Sequence, residues 1–184
     1  MSDFETVKYK LRDLIVANCT YGSDKVFFAT ERFTMPDYPY VMITELSNNE
    51  DMRSGYEYNG NVKEITEYKE STFTVAIYGL SENDLSEEHD TYRAEIKNIR
   101  NAFKKAMFSH ELKNYFTVQS ITDLRPLSEA NDTGFLYRYE FDVLCGYNEI
   151  ITVELKESQS VIIDLENNDE NVIHIEVNKE NLND

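Results

Sequence analysis

Positive charge is scarce in this sequence: 18 lysines and arginines stand against 35 aspartates and glutamates, for a net charge of −17. Gripping duplex DNA through its phosphates requires clustered cations, so that class of binder is excluded. Anionic membrane surfaces are disfavoured for the same reason. No apolar run approaches the roughly 18 residues of a membrane span. The acidic start, Met1-Ser2-Asp3-Phe4-Glu5, lacks the basic and apolar regions of a signal peptide. Glycine is sparse as well: six residues leave no phosphate-cradling loop. No GxSxG elbow, Walker loop, GxGxxG, HExxH or EF-hand loop occurs. The two cysteines, Cys19 and Cys145, form no CxxC pair. Buried thiols in a reducing compartment are the favoured reading and a disulfide the other. His89, His110 and His174 are each isolated. The first two flank a helical segment as exposed polar residues, and the third suits a solvent-facing strand position.

What is present is a chain of 184 residues, enough for one domain with its own core and a small appendage. Phe4, Val7, Leu11, Leu14 and Ile15 form one stripe and predict a helix over 3–18. Val26 to Ala29 and Tyr40 to Leu46 read as strands on either side of a stiff segment with Pro36 and Pro39. Residues 47–60 are polar, read as a loop, and end in the turn signal Asn59-Gly60. Val62 to Tyr78 stays extended. Tyr92, Ile96, Ile99, Phe103, Ala106 and Met107 recur at threes and fours, predicting a helix over 87–108 with a basic rim of Arg93, Lys97, Arg100, Lys104 and Lys105. A further helical turn is expected within 109–116, and a strand from Val118 towards Pro126.

The clearest strand is 134–147, where Phe135, Tyr137, Tyr139, Phe141, Val143, Cys145 and Tyr147 take every second position. One apolar face and one mostly polar face mean an antiparallel sheet with helices on one side. After Asn148 the texture changes to three short β-prone runs, at 150–155, 161–165 and 172–177, separated by acidic, Asn-rich turns. The expectation is an α+β fold, mostly antiparallel with helices packed on one sheet face, divided as 1–148 and a C-terminal β-rich extension at 149–184.

Candidate chemistry is thin. Paired carboxylates serve metal nucleases and glycosidases, but Glu87, Glu88 and Asp90 sit in no apolar setting that would tune them. A small acidic metal-dependent hydrolase is the remote alternative. The run Asn167 to Asn171 lacks the alternating ligands and turn glycine of a calcium loop and reads as a solvated turn. No metal or cofactor site is expected. The thirteen tyrosines point elsewhere. Tyr38, Tyr40, Tyr56 and Tyr58 lie in or beside the 47–61 segment, and tyrosine is favoured at protein interfaces for its area and low entropy cost. These four, with the basic rim of Arg93, Lys97, Arg100 and Lys104, are the candidate subunit interface.

Three stretches carry a family likeness: Pro36-Asp37-Tyr38-Pro39-Tyr40-Val41, Thr74-Val75-Ala76-Ile77-Tyr78-Gly79, and Tyr137-Arg138-Tyr139-Glu140-Phe141-Asp142-Val143. With a leading helix and one long helix between the last two, the chain over about residues 4–147 resembles the tail or neck terminator family of tailed bacteriophages. The resemblance implies a structural virion protein of the tail or neck, assembled in the bacterial cytoplasm as a ring, usually a hexamer. Such a ring caps the tail tube, ends tube polymerisation and joins the tail to the head-side neck or head-completion protein, with a sheath protein as a further partner if the tail is contractile. It implies no catalytic site and no cofactor. DNA passes through such a ring without specific binding, so Glu50, Asp51, Glu57, Glu64 and Glu67 are the candidate lumen or rim. A head–tail stopper or adaptor is the alternative within virion assembly. The segment from Ile150 onwards has no counterpart in the likeness, and an arm reaching a neighbouring subunit, a neck protein or a sheath ring is the expectation for it.

Overall fold

Helix α1 (Phe4–Ala17) turns Val7, Leu11 and Ile15, spaced one every turn, to a single buried line. At its end the Asn18 side chain donates to the carbonyl of Leu14 at 2.9 Å, satisfying one of the orphaned acceptors of the last turn. Helix α2 (Ser86–Phe108) buries Ile96, Ile99, Ala102 and Phe103 in the same way. The computed structural model describes residues 4–31, 36–59, 62–81, 86–109, 112–131, 134–154, 162–166 and 172–176.

The strands are β1 (Val26–Phe28), β2 (Tyr40–Asn59), β3 (Val62–Ser81), β4 (Thr117–Ile121), β5 (Arg125–Pro126), β6 (Glu129–Asn131), β7 (Gly134–Glu154), β8 (Ile162–Glu166) and β9 (Val172–Glu176). The first seven form one mixed sheet in the order β1-β2-β3-β7-β4, with β5 and β6 also on β7. β1 runs parallel to β2, Val26 beside Val41. Two residues separate β2 from β3, too few for a crossover, so that pair is an antiparallel hairpin. Contacts between β3 and β7 have the same sense: Lys69 meets Glu149, Thr74 meets Asp142 and Tyr78 meets Arg138, one numbering rising as the other falls. β4, β5 and β6 continue one another along the far side of β7, all antiparallel to it, with a register shift between Val118 and Ser120. The result is an α+β fold.

Both helices cover one face of the sheet. Phe73, Val75 and Ile77 of β3 and Tyr139, Phe141, Val143, Cys145 and Tyr147 of β7 point to that face and join Val7, Leu11, Ile15, Ile96, Ile99 and Phe103 in one core. Aromatic rings knit it: Phe103 and Phe141 meet edge to face at 5.8 Å, and Phe4 stacks on both Phe73 and Tyr147. Cys145 lies within it as a free thiol, its pKa pushed up by desolvation. Cys19 is half-buried and free, its pKa pushed up to about 11, again chiefly by burial. Because the thiolate is the reactive form, native protein at pH 8 should label slowly at Cys19 and not at Cys145. Full labelling of both should follow only in denaturant. Rapid native modification of Cys145, followed by mass spectrometry, would contradict this packing.

Two compact units divide the chain: Met1–Gly55 with Thr66–Ile150, and Tyr56–Ile65 with Ile151–Asp184. In the second, β8 and β9 pair antiparallel, Asp164 opposite His174.

Several elements differ from the sequence expectation. The polar stretch 47–59 is strand, not loop: β2 runs on to Asn59 because β3 supplies a partner along its length. A hairpin held by its own ladder does not need an apolar face to stay extended. β7 runs past Asn148 to Glu154 and absorbs the first of the three late runs. The expected strand towards Pro126 is split into β4 and β5. His89 is not simply exposed. Its ring lies edge-on to Tyr137 and Tyr139, 5.5 Å from each. The short helical turn is present as a hydrogen-bonded turn, Tyr115 and Phe116 both donating to the carbonyl of Leu112. His110, and the side chain of His174, lie outside the described residues.

Candidate functional site

Three features of the surface are built rather than incidental. The first is the sheet face opposite the helices. Alternation along β7 places Arg138, Glu140 and Asp142 on that side, and β5 brings Arg125 directly across from Glu140. Arg125 donates to Asp142 through both terminal nitrogens, at 2.7 and 2.9 Å, and to Glu140 at 2.9 Å. Arg138 donates to the other oxygen of Glu140 at 2.6 Å, and Thr74 to Asp142 at 2.7 Å. Glu140 is only 7% exposed. The Arg125 guanidinium, backed by Thr74, holds the Asp142 carboxyl below the usual carboxylate range against the opposing pull of burial. Charge-assisted bonds in a fork of this kind fix geometry as well as energy. They also consume the charges: this cluster locks three strands together and presents no free ligand to a partner.

Beside it, the aromatic column Tyr38, Tyr40 and Tyr78 stacks at 5.2 and 5.0 Å, with the Arg138 guanidinium 5.3 Å from the Tyr78 ring. Tyr40 is 1% exposed. It is therefore the middle of the column, not a contact surface, and only Tyr38 of that pair reaches solvent. Burial raises the pKa of Tyr40 and Tyr78.

The second feature is the distal part of the hairpin. Tyr56 and Tyr58 are 66% and 60% exposed and lie on one side of β2, edge to face at 5.6 Å. Lys63 of β3 sets its ammonium over both rings, 4.9 and 5.8 Å from their centres. Tyr56, Tyr58 and Lys63 thus share one face of the hairpin, and alternation along the strands places Glu57 and Glu64 on the other. Both glutamates are exposed, and neither has an ion-pair partner among the described residues. Glu67 differs: it shares Lys69 with Glu149, and the Lys69 pKa is raised chiefly by the Glu149 bond. It is a neutralised, partly buried group rather than an open acid. Glu50 and Asp51 lie on β2, but their side chains are outside the described residues.

The third feature is the solvent side of α2. Arg93, Lys97, Asn101, Lys104 and Phe108 are all exposed at spacings of three and four, a continuous row. Phe108 is 83% exposed. Arg100, grouped with these from sequence, is turned aside: it donates to the carbonyl of Thr122 and to Asp123 at 3.0 Å. Between the ends of α1 and α2 the row borders an open groove of about 850 Å³ lined by Asn18, Asn98, Asn101, Lys104, Lys105 and Phe108.

The Arg125 cluster and Phe108 were not singled out by sequence. The pattern Arg138-x-Glu140-x-Asp142 carried the signal for the first, since alternate charges on an otherwise apolar strand must share a face. Arg125 comes from a separate segment, and only register brings it there. Glu95 was also hidden. It is 6% exposed and accepts from the backbone amide of Thr20, joining α2 to the segment after α1. Among the described residues no three metal-ligating side chains converge, and no helix is long and apolar enough to cross a membrane.

Comparison with known families places most of the chain in one of them. The family described as phage neck terminator protein matches residues 5–176, nearly the whole chain. No curated protein matches.

Proposed function

The chain belongs to the phage neck terminator family, whose members are structural parts of the phage tail and neck, and from that premise we propose that it caps the tail tube. In this reading copies of the chain close into a ring, usually of six, that ends tube polymerisation and offers its other side to the head-side connector. The family match over residues 5–176 carries the proposal. A fold whose prominent surface features are exposed aromatic rings and unpaired charges is consistent with assembly as its task. A ring of this kind needs a heterologous interface that closes on itself. DNA crossing the ring would be repelled by acidic residues lining it, over a screening length of about 8 Å.

The test is to mix the purified protein with growing tail tubes and image them by negative-stain electron microscopy. Rings seated on one tube end, with tube lengthening halted, are the expected result. Rings that ignore tubes and bind a portal–adaptor complex would move the assignment to a stopper. Monomers that leave tubes growing would overturn both.

A further inference from the structure

The exposed side of α2 is the exception to the charge of this protein. From Thr91 to Phe108 the helix holds one carboxylate, Glu95, and that one is buried. Arg93, Lys97, Lys104 and Lys105 face solvent along the same stretch, and none of the three lysines has an ion-pair partner among the described residues. The fifteen steps from Arg93 to Phe108 give this strip a length of roughly 22 Å at about 1.5 Å per residue. It ends in Phe108, whose ring has 83% of its surface in water beside a groove of about 850 Å³ with no carboxylate in its lining among the described residues. An exposed aromatic beside cations, in a chain of net charge −17, is the anatomy of an anchor with a charged rim.

The hairpin end shows the complement. Glu57 and Glu64 are both exposed on one of its faces, and like charges gathered on one face of paired strands repel. A row of cations from elsewhere would relieve that repulsion. The tyrosines of the other face bring apolar area to the same element. We propose that the α2 strip, from Arg93 to Phe108, receives the Glu57–Glu64 hairpin end of a second copy of this chain. The contact is head-to-tail: each copy contributes its basic helix to one contact and its acidic hairpin to the next. Such a contact repeats until a ring closes, so the inference rests on the ring reading above and names its two surfaces. A nearest-neighbour contact between opposite charges also accounts for how strongly acidic copies associate, since repulsion over the remaining surface is screened within a Debye length.

Charge exchange tests this directly. One variant carries Lys97→Glu, Lys104→Glu and Lys105→Glu; the other carries Glu57→Lys and Glu64→Lys. All five positions are exposed, and thermal unfolding and circular dichroism check that each variant is folded. Sedimentation velocity and native mass spectrometry should show the wild type assembling and each variant alone weakened at least tenfold. An equimolar mixture of the two should assemble again. A protein carrying all five changes should assemble with itself and not with wild type. Wild-type-like assembly of either single-sided variant, no recovery on mixing, or a wild type that stays monomeric would each overturn the proposal. Tube capping is scored separately by microscopy. Rings that cap tubes but ignore the charge swaps remove this interface and leave the function standing. Rings that obey the swaps but never seat on tubes do the reverse.

Discussion

Replacing Phe141 by alanine should lower the unfolding free energy by about 3–5 kcal/mol, the range for removing a large aromatic from a packed core. The side chain is fully buried at the middle of β7, meets Phe103 of α2 edge to face, and belongs to the cluster joining both helices to the sheet. Its loss leaves a cavity that α2 can fill only by shifting Ile96 and Ile99 along with it. Domains of this kind have total stabilities of about 5–15 kcal/mol, so the variant should be close to unfolding at 37 °C. With a urea slope of about 2 kcal/mol per molar, the midpoint should fall by roughly 1.5–2.5 M. A shift under about 0.5 M would mean that α2 does not press on the inner face of β7.

The second large effect belongs to Arg125→Met. The methionine keeps much of the apolar stem but leaves Asp142 and Glu140 facing each other with Arg138 as the remaining cation. Stranding one member of a buried ion pair costs about 3–5 kcal/mol. Arg125 is two-fifths exposed, and solvent screens part of that, so about 1–3 kcal/mol is expected at pH 7. The pH dependence gives the sharper test. Asp142 has a folded-state pKa below its unfolded value of about 3.9, the Arg125 bonds being the main cause. Its contribution is complete above pH 4 and is lost as pH falls through the depressed value. The gap between wild type and variant should therefore be widest near neutrality and narrow steadily below about pH 4. Urea midpoints at pH 7, 4 and 2.5 would show it, and a gap that stays constant would mean that Arg125 acts through packing alone.

Sequence made the helices and the inner face of β7 legible because burial on one side stamps a period on the residues, 3.6 in α1 and α2 and 2 in β7. The outer half of β2 bears no such stamp. Leu46 and residues 54–58 are exposed, and the extended state of the stretch depends on β3, a partner that no local pattern announces. Tyr40 was misjudged for a related reason. A tyrosine next to Pro39 reads as surface, and it is the packing of Tyr38, Tyr78 and the buried Phe27 around it that makes it core. The family likeness rested on the strands that hold that column and the Arg125 cluster. Those residues fix the scaffold, and the candidate contacts, Tyr56, Tyr58 and the α2 strip, lie apart from all of its motifs but one residue, Tyr38.

The two margins of the main sheet have a further consequence. One margin is β1, three residues long. The other is the chain of β4, β5 and β6, which is interrupted twice, shifts register once and carries Pro126. Neither of these short segments offers a long, regular row of free amides and carbonyls, but β1 covers only Val41 to Ile43 of β2, and among the described residues no strand pairs with that side of β2 from Thr44 to Asn59. A strand added to the sheet would find its room there rather than on β1, β5 or β6.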